Sequence, residues 1–355
     1  MEIEISEALT RSDVLFVDVR SPVEYEAASI PGAVNIPLFD DREHRRVSII
    51  YHQMGESEAR RAALEIVAPK LPALVDKIVK ASGKKIPLLY CRKGGLRSLS
   101  LYEVLKLTGI QTLRLKKGYK AYRNFINRKI ASYELKSKLF VLHGLTGVGK
   151  TIIINKLGEK GLPVLDLEGL AGHRGSAFGA VGINSRRSQK DFDALLMQEL
   201  DRLGSEPYFF IEGEGRRIGN IYLPPFLGEA MDKGFQILLT ASVKTRVDRI
   251  VETYIPEPLP DRLISELKVA LNSLEKRLGC KKTEHLLAML ESGDYRGFAE
   301  IMCTDYYDLF YSDSRPECSS FEAVIDVENI DSAVEEIIEL AQKTGPAGSR
   351  PARTI

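Results

Sequence analysis

The sequence predicts an α/β protein of two successive parallel-sheet domains, the second carrying an inserted helical block. Three observations lead there. The chain has 355 residues, more than one ordinary core accommodates, so two domains are expected. Short apolar runs alternate with helical periodicities through both halves, the signature of strands linked by crossover helices. Each half also contains one strand, glycine loop and helix start in immediate succession: Ile86 to Leu107 in the first and Leu139 to Leu157 in the second.

Taken in order, Asp13–Arg20 reads as a strand ending in charge, and Ser21-Pro22 as a helix start with serine at the cap and proline at the first position. Ile30-Pro-Gly-Ala-Val-Asn-Ile-Pro37 is a turn followed by a short strand. Asp18, Arg20 and Glu24 read as a structural charge cluster at the strand end. Residues 42–80 are helical, with Pro69 and Pro72 marking a break. Ile86–Tyr90 is a buried strand, Leu96–Leu107 a helix and Gln111–Leu115 another strand.

Cys91 follows the strand Ile86–Tyr90 directly, on a loop feeding a helix N-terminus. Backbone N–H groups and the positive end of the helix dipole converge there, favouring anions and a thiolate. Arg92, Lys93, Gly94, Gly95 and Arg97 complete this anion loop, with Cys91 as the candidate catalytic group. A buried packing cysteine is the alternative, and the glycine pair and three nearby cations argue against it. The remaining cysteines, Cys280, Cys303 and Cys318, form no C-x-x-C pair, so structural zinc is not expected.

Residues 114–138 contain Arg114, Lys116, Lys117, Lys120, Arg123, Arg128, Lys129, Lys136 and Lys138 against one acid, Glu134. Tyr119, Tyr122, Phe125 and Tyr133 are interleaved. The segment fits a solvated linker helix and, equally, a nucleic-acid contact with stacking aromatics. Lys116, Lys117, Lys120, Arg123, Arg128 and Lys129 are its RNA-binding candidates. The formal net charge is only +1, so any basic surface is local.

Leu139–Leu142 is a strand, and Gly144-Leu-Thr-Gly-Val-Gly-Lys-Thr151 fits the phosphate-loop pattern in its proper strand–loop–helix setting. Gly144, Thr146, Gly147 and Gly149 allow backbone N–H groups to wrap a phosphate. Lys150 reaches outer phosphate oxygens, and Thr151 can ligate Mg²⁺. Further strands are expected at Pro163–Asp166, Tyr208–Glu212, Gln236–Thr240 and Ala323–Asp326. Glu212 most resembles the acid ending a Walker B strand, with Glu214 as its competitor. No Asn-Lys-x-Asp guanine motif occurs. Loops at the carboxyl ends of parallel strands form ligand crevices, which makes Asp166, His173, Arg174, Glu212, Arg216 and Arg217 candidate substrate contacts. For His173 a loop-fixing hydrogen bond is the alternative, and for the two arginines a surface ion pair. At least one arginine is expected to meet an anion.

Residues 258–312 form the helical block, Ile330–Gln342 a final helix, and residues 344–355 a disordered tail. Tyr306, Tyr307 and Tyr311 could stack on bases, but aromatics at helical spacing are more often core. Composition, at 44% hydrophobic and 28% charged, is that of a globular protein. Neither an export leader nor a membrane span is read, and the cysteine usage suits a reducing cytoplasm.

The segments Asp18-Val-Arg20, Glu24-Tyr25, Ile30–Pro37 and Cys91-Arg-Lys-Gly-Gly95 resemble a rhodanese domain, where the loop cysteine carries a persulfide or related adduct. Fused to a P-loop NTPase-like domain, and with Tyr90–Ser98, Gly118–Arg123, Asp166–Ala171 and His173–Gly179, the whole resembles the tRNA 2-selenouridine synthase family over residues 5–340. This divides the chain into a rhodanese-like domain 1–118, a basic linker 119–137 and a P-loop domain 138–343. Lys117 departs from the family pattern, standing where a glycine of positive φ is expected.

The resemblance implies a transferase that replaces sulfur by selenium in the wobble 2-thiouridine of tRNA. Geranyl diphosphate first alkylates the sulfur, and selenophosphate then supplies selenium. The anticodon arm of tRNA is the implied partner, with a selenophosphate-producing enzyme as functional neighbour and the oligomeric state open. A plain sulfurtransferase, a nucleotide-dependent enzyme with a regulatory rhodanese module, and a phosphatase built on Cys91-x5-Arg97 are the alternatives.

Overall fold

The structure is a computed structural model that describes residues 1–183, 187–255, 260–309 and 321–345. Cys318, Tyr311 and the tail beyond residue 345 lie outside the described residues. The described residues divide into two units. One is Met1–Ser132 with Asp193–Met197, and the other is Tyr133–Phe192 with Gln198–Ile355. The helix Gly118–Ala131, read from sequence as part of a linker, groups with the first unit.

The first unit holds β1 (Glu2–Ile3), β2 (Val14–Asp18), β3 (Val34–Asn35), β4 (Ile86–Tyr90) and β5 (Leu113–Leu115) in the order β1-β5-β4-β2-β3. All its pairings are parallel. β4 is the middle strand and is almost wholly buried, as its run of apolar residues requires. Val17, Val19, Leu89, Ile78, Leu101 and Leu105 form the core between sheet and helices. The proline break falls as expected, with Pro69 in the turn Ala68–Lys70 and Pro72 opening the helix Leu71–Ser82. β1 escapes sequence reading because two residues show no alternation.

The second unit holds β6 (Lys138–His143), β7 (Val164–Leu165), β8 (Tyr208–Glu212), β9 (Arg217–Ile218), β10 (Ile221–Tyr222), β11 (Phe235–Thr240) and β12 (Ala323–Asp326). Its five-stranded sheet runs β12-β11-β6-β8-β7, again parallel throughout. β9 and β10 make a small separate hairpin. Phe140, Leu142, Phe210, Ile237 and Leu239 pack with Ile153, Ile154, Leu157, Val334 and Ile337 from flanking helices. Each such side chain contributes about 1.5–3 kcal/mol when fully buried. A second core joins Phe178 and Val181 to the helical block through Leu267, Leu271, Leu286, Leu290, Phe298 and Met302. The final helix, Ile330–Thr344, runs past the expected end at Gln342. No helix among the described residues is long and apolar enough to cross a membrane.

Candidate functional site

In the first unit the carboxyl end of β4 delivers Cys91 to the N-terminus of the helix Leu96–Leu107, whose cap is Gly95. Cys91 is buried, 3% exposed. Its sulfur accepts the Gly95 N–H at 3.2 Å and lies 3.3 Å from the Ser98 hydroxyl. Ser98 also donates to the Gly95 carbonyl at 3.2 Å. A backbone N–H and a hydroxyl therefore meet the sulfur at the N-terminal end of a helix.

The loop is braced from one side by the corner that follows β5. Tyr119 N–H donates to the Cys91 carbonyl at 2.9 Å, and Lys120 N–H to the Arg92 carbonyl at 3.0 Å. Arg114 donates to the Gly94 carbonyl at 2.7 Å. Gly118 passes so close beneath that a Cβ there would overlap the Cys91 carbonyl. Lys117 is the sole non-glycine residue of positive φ, 59°, among the described residues. The left-handed conformation inferred from sequence is present, imposed on a lysine at a cost of about 1–2 kcal/mol.

Charge around Cys91 is distributed unevenly. Arg92 and Lys93 are exposed. Arg97, expected to serve the anion loop, is instead held by Glu24, which His44 approaches at 3.8 Å. Burial and the Arg97 charge lower the His44 pKa. Asp18 and Arg20 form the buried structural pair expected of them. Arg20 Nη2 donates to Asp18 and, at 2.7 Å, to the Ala28 carbonyl. Its guanidinium lies 4.2 Å from the Tyr119 ring centroid.

Of the RNA candidates, Lys120 and Arg128 are exposed. Lys116 pairs with Glu4 at 2.6 Å and Arg123 with Asp193. Lys129 is half-buried. Lys117, Asn124, Asn127 and Arg128, together with the acid Glu4, line a surface groove of about 820 Å³. Tyr119 and Tyr122 are buried, and Tyr133 packs on Phe226. The interleaved aromatics thus belong to cores, and base stacking on Tyr119 or Tyr122 is ruled out in this conformation.

In the second unit the phosphate loop joins β6 to the helix Lys150–Glu159. Lys150 Nζ rests on the Gly144 carbonyl at 3.0 Å and lies 3.8 Å from Glu214. Thr151 Oγ1 is 2.8 Å from Glu212 and 3.0 Å from Glu168. One hydroxyl carries one proton, so one of these contacts needs a protonated carboxyl as donor. Burial, then repulsion among Glu168, Glu212, Asp166 and Glu214, pushes Glu212 up to about 8. Burial and Glu214 push Glu168 up to about 7. Glu168 also donates its N–H to Glu212 at 3.2 Å. Sequence reading missed Glu168, although it lies within the quoted stretch Asp166–Ala171. Asp166 itself caps the helix Leu167–Ala171 by accepting from Gly169 N–H at 2.7 Å.

Two further residues were not legible. Arg246, 2% exposed, donates to the Thr146 carbonyl at 2.9 Å and makes a two-point pair with Asp308. Arg249, one helical turn on, donates to the Val148 carbonyl at 2.7 Å and the Val327 carbonyl at 2.6 Å. Both lie on the helix Val243–Tyr254 and hold the phosphate loop by its carbonyls. Gly147 sits so near the Arg246 carbonyl and Ile250 that a side chain would collide with them.

The remaining candidates are structurally engaged. The His173 ring packs between the backbones of Gly179 and Gly219. Arg174 donates to the Val181 carbonyl at 3.0 Å and stacks 4.8 Å from the Tyr254 centroid. Arg216 pairs with Asp232 and lies over Gly228. Arg217 holds Gly219 and Asn220 in the β9–β10 hairpin. Arg216 thus makes the surface ion pair, and Arg217 braces its own hairpin.

Comparison with known proteins follows this geometry. Residues 3–125 match the rhodanese-like domain, and residues 137–339 match the tRNA 2-selenouridine synthase AAA domain. The chain is 33% identical over 335 residues to the tRNA 2-selenouridine synthase of Pseudomonas syringae pv. tomato, covering 87% of this chain and 90% of that one. The enzyme of the same name from Verminephrobacter eiseniae is 33% identical, with 87% and 92% covered. That from Cupriavidus pinatubonensis is 32% identical, with 83% and 87% covered.

Proposed function

The chain belongs to the tRNA 2-selenouridine synthase family, and on that premise we propose that it exchanges sulfur for selenium in the wobble 2-thiouridine of tRNA. In the first step the thiocarbonyl sulfur attacks carbon 1 of geranyl diphosphate, forming a carbon–sulfur bond and releasing diphosphate. In the second, selenophosphate delivers selenium to carbon 2 and the geranyl thiol departs. Loss of phosphate then leaves 2-selenouridine. Alkylation converts a poor sulfur leaving group into a good one.

The observation that carries this reading is a helix-terminal Cys91 sulfur, 3.2 Å from the Gly95 N–H, in the same chain as a complete phosphate loop. A plain sulfurtransferase would leave that loop without work. The loop N–H groups and Lys150 suit a departing diphosphate, whose growing charge they stabilise. Cys91, at the N-terminal end of its helix, suits a place beside selenophosphate in the chalcogen step. Lys117, Lys120, Arg128 and the amides of Asn124 and Asn127 suit sugar–phosphate contacts along the anticodon arm.

Mg²⁺ fits the second unit on chemical grounds. Thr151 Oγ1, Glu212 and Glu168 gather hard oxygens whose shared proton a dication would replace. Among the described residues no group of three His, Cys, Asp or Glu is placed to hold a metal. The protein would therefore supply part of the shell, leaving room for water and phosphate. Bound there, Mg²⁺ would neutralise diphosphate charge.

The test is incubation of the full chain with 2-thiouridine tRNA, geranyl diphosphate and selenophosphate, omitting each in turn, with nucleoside mass analysis. Omitting selenophosphate should accumulate S-geranyl-2-thiouridine, and only the complete mixture should give 2-selenouridine. Selenouridine formed at full rate without geranyl diphosphate would overturn the two-step route.

A further inference from the structure

The helix Asp41–Met54 belongs to the first unit. Its residues Arg42, Arg45 and Arg46 are exposed. They line a surface groove with Asp41, Ile49 and Ile50. Arg42, Arg45, Arg46 and Ile49 follow the spacing i, i+3, i+4, i+7, which sets them on one helix face. Val47 lies on the inward side and packs on the core. Among the described residues no acid pairs with any of the three arginines. The two acids of the helix are engaged elsewhere. Asp41 accepts the Val23 N–H at 3.1 Å, and Glu43 pairs with Lys70 at 2.6 Å. On the neighbouring helix Glu56–Val67, Glu56 pairs with Arg60 and Glu65 with Arg61.

This placement works against the helix that carries it. Cations near a helix N-terminus oppose the dipole, and like charges three and four residues apart repel. An arginine stripe in the first two turns, without internal partners, weakens the fold unless an external anion covers it. The other side of the same helix faces the cysteine loop. His44 lies 3.8 Å from Glu24, which holds Arg97 on the helix that follows Cys91. Burial and Arg97 lower the His44 pKa, and Arg92, the exposed neighbour of Cys91, adds to the effect. The helix and the cysteine loop thus share one unit and one charge cluster.

We propose that the stripe Arg42, Arg45 and Arg46 is a second RNA-backbone surface of the first unit, separate from the helix Gly118–Ala131. The inference rests on the reading that tRNA is the substrate, and it adds a surface which that reading does not use. Guanidinium groups match phosphate oxygens two at a time. Arg42 and Arg46 are about 6 Å apart along the helix axis, the scale of the step between successive phosphates. Spread along an open face, the three suit a string of phosphates better than one small anion. Exposed Ile49 extends the face with an apolar contact for a ribose. A carboxylate-rich protein segment carries the same sign of charge. The tie to the cysteine loop, where the tRNA base is to react, favours RNA.

The experiment is filter binding of the full chain to tRNA across a salt series. Arg42→Gln, Arg45→Gln and Arg46→Gln together should lower affinity about tenfold at moderate salt. They should reduce the slope of log affinity against log salt by about 2.1–2.7, the share of three phosphate contacts. The corresponding triple Lys variant keeps the charge and should keep the slope. Arg45→Gln alone should reduce the slope by about 0.7–0.9, and it decides the matter if the triple Gln variant does not fold. Slopes unchanged in both Gln variants, with the wild type binding tRNA, would overturn the stripe alone. No tRNA binding by the wild type, and no selenouridine from the complete mixture, would overturn the parent reading as well. Polyglutamate bound by the wild type as tightly as tRNA, and released by the triple Gln variant, would assign the stripe to an acidic protein segment instead.

Discussion

The cysteine loop and the phosphate loop have the same plan and opposite surroundings. Each follows a central parallel strand and opens a helix, so each inherits exposed N–H groups and a positive helix end. Around Cys91 the chain places the Gly95 N–H, the Ser98 hydroxyl and the exposed Arg92 and Lys93. Around Thr151 it gathers acids, Glu168, Glu212 and Glu214, close to Lys150. The first arrangement sets a single sulfur beside a backbone donor and cations. The second suits a polyanion accompanied by a cation or protons. The braces differ too. Backbone N–H groups and Arg114 hold the cysteine loop, whereas two arginine side chains hold the phosphate loop. Similar local folds thus yield different chemistry through what is packed against them.

The comparison breaks most sharply at Cys91. Cys91→Ala should reduce selenouridine formation to background, a loss of at least about a thousandfold, because it removes the thiol at the head of the chalcogen loop. Affinity for tRNA, read by filter binding, should stay within about twofold. Selenouridine formed by this variant at the wild-type rate would remove the thiol from the chemistry. The next largest effect tests the braces. Arg246→Ala leaves Asp308 and the Thr146 carbonyl without their partner and should cost about 3–5 kcal/mol of second-unit stability. Arg97→Ala, in the cysteine unit, breaks a more exposed pair and should cost about 1 kcal/mol. Denaturant titration of the two variants ranks them, and an equal loss would contradict the contrast.

Much of this arrangement was legible in the residues. The strand–loop–helix runs located both loops, and the glycine expected at position 117 appears as a positive φ on Lys117. Local pattern fails where function depends on partners distant in sequence. Nothing near Arg246 or Arg249 announces that they reach back about a hundred residues to the phosphate loop. Arg97 looked like an anion-binding cation until Glu24, 73 residues upstream, was found beside it. Tyr119 and Tyr122 looked like stacking groups because their spacing fits an exposed surface and a core face alike. Glu168 was passed over because a helix-capping aspartate two residues earlier drew the same attention.

The acid cluster gives a pH signature that the cysteine unit lacks. Glu212 has an ordinary value near about 4.3 when unfolded and is raised to about 8 in the fold. Between those values the folded state retains a proton that the unfolded state has lost. Stability from this group is therefore complete below about pH 4 and falls as pH rises through about 8. Glu212→Gln should flatten that decline, raising the melting temperature by a few degrees at pH 8 relative to wild type and less at pH 5. Thermal denaturation in the presence of a chelator reads the difference, which isolates Glu212 from the histidines, whose shifts act in the opposite sense. A constant difference between wild type and variant at both pH values would show that Thr151 is not shared between two protonated-capable acids.

The smallest effect concerns how RNA meets the cysteine unit. Lys120 N–H is bonded to the Arg92 carbonyl, so the helix carrying Lys120 and Arg128 is joined to the cysteine loop through its backbone. RNA held on that helix would be held at a fixed relation to Cys91. The buried tyrosines leave charge and amide contacts as the means, so affinity should depend on salt rather than on base identity. Replacing Lys120 and Arg128 together by Gln should lower tRNA affinity several-fold at moderate salt. It should also reduce the slope of log affinity against log salt by about 1.4–1.8, the share of two phosphate contacts. Because Lys116 is already paired with Glu4 at 2.6 Å, Lys116→Gln should change the slope by less than either of those residues. A slope unaltered in the double variant would return the helix to a purely structural role and place the RNA contact elsewhere on the chain.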